Sequence, residues 1–171
     1  MSNNYFLMVA KSLLVTIAVF LSLISYAQTV GYSHKPLAAE GCSMKYSVAK
    51  QDSLYFIIAT VSSDRLKFLN APTMKIRTTN GDVLTLNGSN IGNGSQSAGV
   101  VIGNMVYPVT EINSTAQFAI TPQEFEMIKD GIIKVRLSMS PMNHEKEFKK
   151  DKIGKKLYEF YLKEKSKEDD F

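Results

Sequence analysis

Asn80-Gly81 stands between two alternating segments, Met74-Lys75-Ile76-Arg77-Thr78 and Asp82-Val83-Leu84-Thr85-Leu86, and this arrangement commits the chain to antiparallel β structure. Apolar side chains at every second position have the period of a strand with one buried face. The loop length then fixes which residues meet. A two-residue loop sets Ile76 against Thr85 and Arg77 against Leu84, scattering apolar side chains over both faces. A three-residue loop, Thr79-Asn80-Gly81, sets Ile76 against Leu84 and Met74 against Leu86 and gathers the apolar side chains on one face. The spacing therefore predicts a type I turn with a bulge and Gly81 in the left-handed conformation.

Similar signals recur along the chain. Met44, Tyr46 and Val48 alternate with polar or small residues, and Gln51-Asp52 reads as a turn. Leu54 to Val61 is nearly continuous apolar, which predicts a central strand buried on both faces, with Leu66 and Phe68 continuing the core. Asn87 to Gly99 is built from glycine, serine and asparagine without a hydrophobic period and reads as a flexible surface loop. Strands resume from Gly99 to Ile112, with Gly103-Asn104 as a tight turn and Pro108 confining its strand to an edge or a bulge.

Thr121-Pro122-Gln123-Glu124 carries a capping box, Ile120 and Phe125 stand at the positions of a hydrophobic staple, and Gly131 stops the helix, which predicts residues 122–130. Ile133, Val135, Leu137 and Met139 alternate as a last strand ended by Ser140-Pro141. Ile153, Leu157, Phe160 and Tyr161 then have helical spacing, which predicts an amphipathic helix over about 145–165, weakened at Gly154 by about 1 kcal/mol relative to alanine. The fold class is mainly β: seven to nine short strands in a β-sandwich or a curved, barrel-like sheet, with one short helix and one C-terminal helix.

The N-terminal stretch is distinct from this domain. Lys11 precedes an apolar run, Leu13 to Ile24, and Ser25-Tyr26-Ala27 places small residues where a signal peptidase reads, so cleavage is expected between Ala27 and Gln28. The run is shorter than the roughly 20 apolar residues of a spanning helix. The acid in Ala39-Glu40-Gly41 does not suit lipidation at Cys42. Residues 28–171 then form a single β-rich domain: an extended arm over 28–42, a β core over 43–141, and a helix and tail over 142–171. The expected setting is periplasmic or secreted. Cys42 is the one cysteine, so no intramolecular disulfide is available, the core alone must hold the fold, and the thiol is expected to be inert.

Chemistry-bearing patterns are sparse. His34 falls in the arm and His144 after the last strand, neither with metal-ligand spacing around it, and both are expected on the surface. Ser47-Val48-Ala49-Lys50 matches S-x-x-K but sits in an alternating strand without the partner motifs of that enzyme class. The glycines of 87–99 lack a phosphate-loop pattern. N-x-[ST] triplets begin at Asn87, Asn93 and Asn113, all expected in turns. No catalytic, metal or cofactor residue is assigned, and no cofactor is expected. The one functional hint is a lysine cluster in which Lys146, Lys149, Lys150, Lys152, Lys155 and Lys156 face Glu147 and Asp151. Lys149, Lys150, Lys152, Lys155 and Lys156 are the candidate contacts to an anionic surface. A net charge of +4 is too mild to point to nucleic acid.

Leu66-Lys67-Phe68-Leu69, the Asn80-Gly81 hairpin, Ile120-Thr121-Pro122 and Gly131-Ile132-Ile133-Lys134-Val135-Arg136-Leu137 resemble segments of small exported proteins of unknown function from Bacteroides and its relatives. The resemblance implies a bacterial envelope setting and supplies no activity. The expected function is a non-enzymatic binding or interaction module of the cell envelope, with an envelope protein, a glycan or an anionic lipid surface as partner. The lack of tryptophan counts against a sugar-stacking platform. The alternatives are a small hydrolase whose residues converge only in three dimensions and a structural homo-oligomer subunit.

Overall fold

Eight strands and two helices make up the computed structural model, which describes residues 28–34, 42–63 and 69–167. In chain order they are β1 (Val30–His34), β2 (Cys42–Gln51), β3 (Leu54–Ser63), β4 (Thr73–Thr78), β5 (Val83–Ile102), β6 (Met105–Ile120), α1 (Pro122–Ile128), β7 (Ile132–Leu137), β8 (His144–Glu147) and α2 (Gly154–Ser166). The strands form one antiparallel sheet in the order β1-β2-β3-β6-β5-β4-β7-β8, curled into a half-barrel. The curved, barrel-like expectation is met; a two-sheet sandwich is not what forms. The expected cleavage point at Ala27, the core residues Leu66 and Phe68, and the last four residues of the tail lie outside the described residues.

Local chemistry sets the register. The β4–β5 hairpin pairs Met74 with Leu86 and Ile76 with Leu84 around a three-residue loop, with Gly81 at φ 94°. Thr78 N–H donates to the Asp82 carbonyl (2.9 Å) and Gly81 N–H to the Thr78 carbonyl (3.1 Å), closing the bulged turn that the apolar pattern demands. Between β2 and β3 the turn is Asp52-Ser53, with Asp52 at φ 53°. Tyr46, Ile57, Ile76, Phe118 and Leu137 all point into the curl and are buried. Phe56 and Ile58, on the other face of β3, are only half-buried, so that central strand is sealed on one side rather than two.

Both helices close the curl. Thr121 and Glu124 form the expected reciprocal cap, with Glu124 N–H donating to Thr121 Oγ1 (3.2 Å) and Thr121 N–H to Glu124 Oε2 (2.8 Å). Phe125 of α1 stacks on Tyr161 of α2 at 4.3 Å between centroids, and Tyr55 of β3 meets Tyr161 edge-on at 5.0 Å.

Two expectations are corrected. The glycine-rich stretch 87–99 is not a loop: it lies within β5 and pairs with β6 as far as Ile102↔Met105, with a register shift between Asn90 and Gly92. Many of its side chains are exposed, so no hydrophobic period marks it, and Asn87, Asn93 and Asn113 therefore lie in strands rather than turns. Within the arm, Val30–His34 pairs along β2 and sets His34 opposite Cys42. The C-terminal helix begins at Gly154 rather than near 145, since His144–Glu147 adds an edge strand to β7.

Gly154 and Asp151 form the junction that makes this late start necessary. Asp151 Oδ1 accepts from Ile132 N–H (2.8 Å) and Gly154 N–H (2.7 Å), and Oδ2 accepts from Lys155 N–H (3.0 Å). One carboxylate thus caps α2 and ties it to the start of β7. A Cβ on Gly154 would lie 2.6 Å from Ile132 N. Gly154→Ala is therefore expected to lower stability by about 1–3 kcal/mol, against its helix propensity. Asp151→Ala is expected to cost about 2–4 kcal/mol through unpartnered backbone donors. Urea midpoints measure both, and a stabilised Gly154→Ala would show that the close approach relaxes.

Candidate functional site

Two clusters carry chemistry, one inside the curl and one outside. Inside, β1 and β8 are the ends of the strand order and share no ladder among the described residues. Side chains join them instead. The Tyr32 hydroxyl hydrogen-bonds to His144 Nε2 at 3.0 Å and lies 3.2 Å from the Tyr46 hydroxyl. Cys42 Sγ lies 3.8 Å from His144 Nδ1, and Phe148 meets the Tyr32 ring edge-on at 5.1 Å.

His144 is not a surface residue: it opens β8 directly opposite buried Leu137 and is itself buried. Cys42 is buried beside it. A thiol against an imidazole is the pairing that activates cysteine nucleophiles. Here neither residue lines any of the three grooves described below, and Tyr32 engages the second ring nitrogen. The cluster acts as a clasp between sheet edges. Among the described residues no group of three or more His, Cys, Asp or Glu side chains is placed to hold a metal ion.

Outside, β4 and β7 present a grid of cations. Their ladder sets Lys75 opposite Arg136 and Arg77 opposite Lys134, two like-charge pairs in succession. The strands expose these side chains because the alternate positions, Met74, Ile76, Val135 and Leu137, are buried. Among the described residues acids reach the grid from β8: Glu145 stands opposite Arg136 and Glu147 opposite Lys134. Glu145 Oε1 is 2.6 Å from Lys134 Nζ, and Oε2 is 3.9 Å from Arg136 Nε. The hydrogen bond from Lys134, reinforced by its charge and that of Arg136, holds the Glu145 carboxyl below the usual range. On the other side β5 offers Val83 and Thr85, and among the described residues neither Lys75 nor Arg77 has a carboxylate within ion-pair distance.

A groove of about 200 Å³ runs over this grid, lined by Lys75, Arg77, Lys134, Arg136 and Glu145 together with Ile76 and Val83. A second, of about 290 Å³, adjoins it along Thr73, Lys75, Arg136, Ser138 and Asn143. No local motif in the sequence marks this site. Its trace was a K-x-R triplet in each of two alternating segments, and only the pairing of β4 with β7 brings the two together.

The lysines singled out from sequence stand elsewhere. Lys149 and Lys150 are exposed in the turn after β8, Lys152 is exposed before α2, and Lys155 and Lys156 are exposed in its first turn. Asp151, counted as their counter-charge, is engaged by backbone N–H groups. Lys156 pairs with Glu159 at 2.7 Å and lines a third groove with Gln28 and Lys163. None of the five lines the cationic groove.

The clasp has a pH signature. Burial pushes the Tyr32 hydroxyl up to about 12 and holds that of Tyr46 well above its ordinary value, so the fold favours both phenols neutral. A raised folded-state pKa contributes stability that is fully present below the unfolded value near 10 and lost as pH rises towards 12. Urea unfolding at pH 8, 10 and 11 is expected to show a progressive loss, about 1.4 kcal/mol of it from Tyr32 by pH 11, and Tyr32→Phe is expected to flatten the decline. An equal decline in wild type and Tyr32→Phe would remove Tyr32 from the clasp.

No protein-family model, of an enzyme or otherwise, no curated protein and no solved structure matches this chain, and the functional reading rests on its own residues.

Proposed function

We propose that this protein is a non-enzymatic binding module of a bacterial cell envelope, exported to its site, that holds anionic partners on the outer face of β4 and β7. The observation that carries this reading is the pair of like-charge oppositions, Lys75↔Arg136 and Arg77↔Lys134. Like charges directly across a ladder destabilise a sheet by up to about 1 kcal/mol per pair. Two in succession, with acids on one side only among the described residues, are a cost to the fold that an anion lying between them relieves. The site is open and solvent-facing, which suits reversible capture of a charged surface or chain.

A second reading, a homo-oligomer subunit, has its own observation. From Gln96↔Glu111 to Ile102↔Met105 the β5–β6 ribbon extends past the ladders that β3 and β4 make with it. Met105 and Val106 are exposed near its tip. Sedimentation across concentration separates the two readings, because anion capture requires no self-association.

Retention on dextran sulfate against neutral dextran tests the anionic reading. Wild type is expected to bind in a salt-sensitive way, and Lys75→Gln/Arg77→Gln/Lys134→Gln/Arg136→Gln to lose at least about a hundredfold in affinity, roughly 1 kcal/mol per charge near an anionic surface. Lys149→Gln/Lys150→Gln/Lys155→Gln/Lys156→Gln is expected to bind as wild type. Glu145→Gln is expected to bind about fivefold tighter, having lost the acid closest to the grid. Loss of binding in the second lysine set, with the first unaffected, would move the site to the turn before α2.

A further inference from the structure

The two grooves over β4 and β7 share Lys75 and Arg136 and therefore form one trough along the seam between these strands. Its ends differ in chemistry. Around Arg77 and Lys134 it is cationic, whereas around Thr73, Ser138 and Asn143 it offers hydroxyl and amide groups. Ser138 Oγ accepts from Thr73 N–H at 2.5 Å, which fixes the hydroxyl at the trough and leaves its own O–H to donate. From Thr73 to Arg77 the trough runs about 13 Å at the rise of a β-strand, the length of a short oligosaccharide.

We infer that the ligand is a short acidic oligosaccharide of uronate type, lying along the β4–β7 seam. Its carboxylates sit among Lys75, Arg77, Lys134 and Arg136, where the planar guanidinium forks match carboxylate geometry. Its neutral hydroxyls meet Thr73, Ser138 and Asn143, groups that alternate as donor and acceptor as sugar hydroxyls require. An inorganic anion would use the cationic end and leave the polar end without a partner. A lipid headgroup surface is flat and would touch the rim charges without entering the trough. This inference rests on the anion-binding reading above and names its ligand class.

Calorimetric titration of the full chain with a galacturonate trimer, the galacturonate monomer, the fully methyl-esterified trimer, inorganic phosphate and phosphatidylglycerol vesicles tests it. The acidic trimer is expected to bind at least about tenfold tighter than the monomer, the ester or phosphate. Asn143→Ala, an exposed position, is expected to weaken the trimer about three- to tenfold and to weaken inorganic phosphate less, since phosphate carries no sugar hydroxyl to reach the polar end. Arg77→Gln/Lys134→Gln is expected to weaken both. A trimer that binds no tighter than the monomer or phosphate, an Asn143→Ala variant that binds it as wild type, or tighter association with the vesicles would overturn the acidic-sugar inference and leave anion capture standing. Failure of every anionic probe, dextran sulfate included, would overturn both.

Discussion

A sheet of eight strands curled until its ends meet must satisfy two edges at once, and here side chains do the work of a missing ladder. β1 and β8 are short, and each has only one described ladder partner. What joins them is the run Tyr46–Tyr32–His144–Cys42, with Phe148 packed on Tyr32. Polar groups so deep in a core are costly unless partnered, and among the described residues no buried side-chain nitrogen or oxygen lacks a partner. The clasp holds the curvature that lets Phe125, Leu157 and Tyr161 of the two helices share one apolar core with β2, β3 and β6. A flat sheet of the same strands would leave those helices nothing concave to fill. The buried thiol and imidazole are thus best understood as parts of the closure, with reactivity subordinate to packing.

How far the sequence discloses this fold depends on where each segment meets water. The β4–β5 hairpin was legible to the register because one face is buried: only one loop length puts Met74, Ile76, Leu84 and Leu86 together, and the structure pairs them so. The cap of α1 was legible because Thr121 and Glu124 act on each other three residues apart. Where a segment is solvated over much of its surface, the hydrophobic period vanishes, and residues 87–99 resembled a loop although they hold a continuous ladder. The start of α2 is obscured in the sequence for a different reason. Ile153, Leu157, Phe160 and Tyr161 do form its buried face, but the lysine-rich residues before them alternate weakly and were absorbed into its period. What ends that period is Asp151, whose role depends on Ile132, a residue distant in sequence.

The candidate site was less legible than the fold. Lysines that cluster in sequence spread in three dimensions over a turn and the first turn of a helix. The cations that converge come in two pairs from strands that α1 and the β5–β6 ribbon separate in sequence. Each pair alone is the ordinary polar face of an alternating strand. Their meaning arises from adjacency, which no local period encodes.

That adjacency also explains how the grid is tolerated. Directly beneath Lys75, Arg77 and Arg136 the same two strands bury Met74, Ile76, Val135 and Leu137, each at 1% exposure or less. Burial of four such side chains contributes about 1.5–3 kcal/mol apiece, several times the cross-strand repulsion above them. Register on the inner face is therefore fixed by packing, and the outer face has no freedom to slip its like charges apart, since a one-residue shift would expose the core. Only residues on flanking strands can relieve the repulsion. β8 does so with Glu145, which pairs with Lys134 and lies near Arg136, while β5 faces Lys75 and Arg77 with Thr85 and Val83. The core side of β4 and β7 thus holds in place, on the solvent side, a charge arrangement that the strands would not adopt for its own sake.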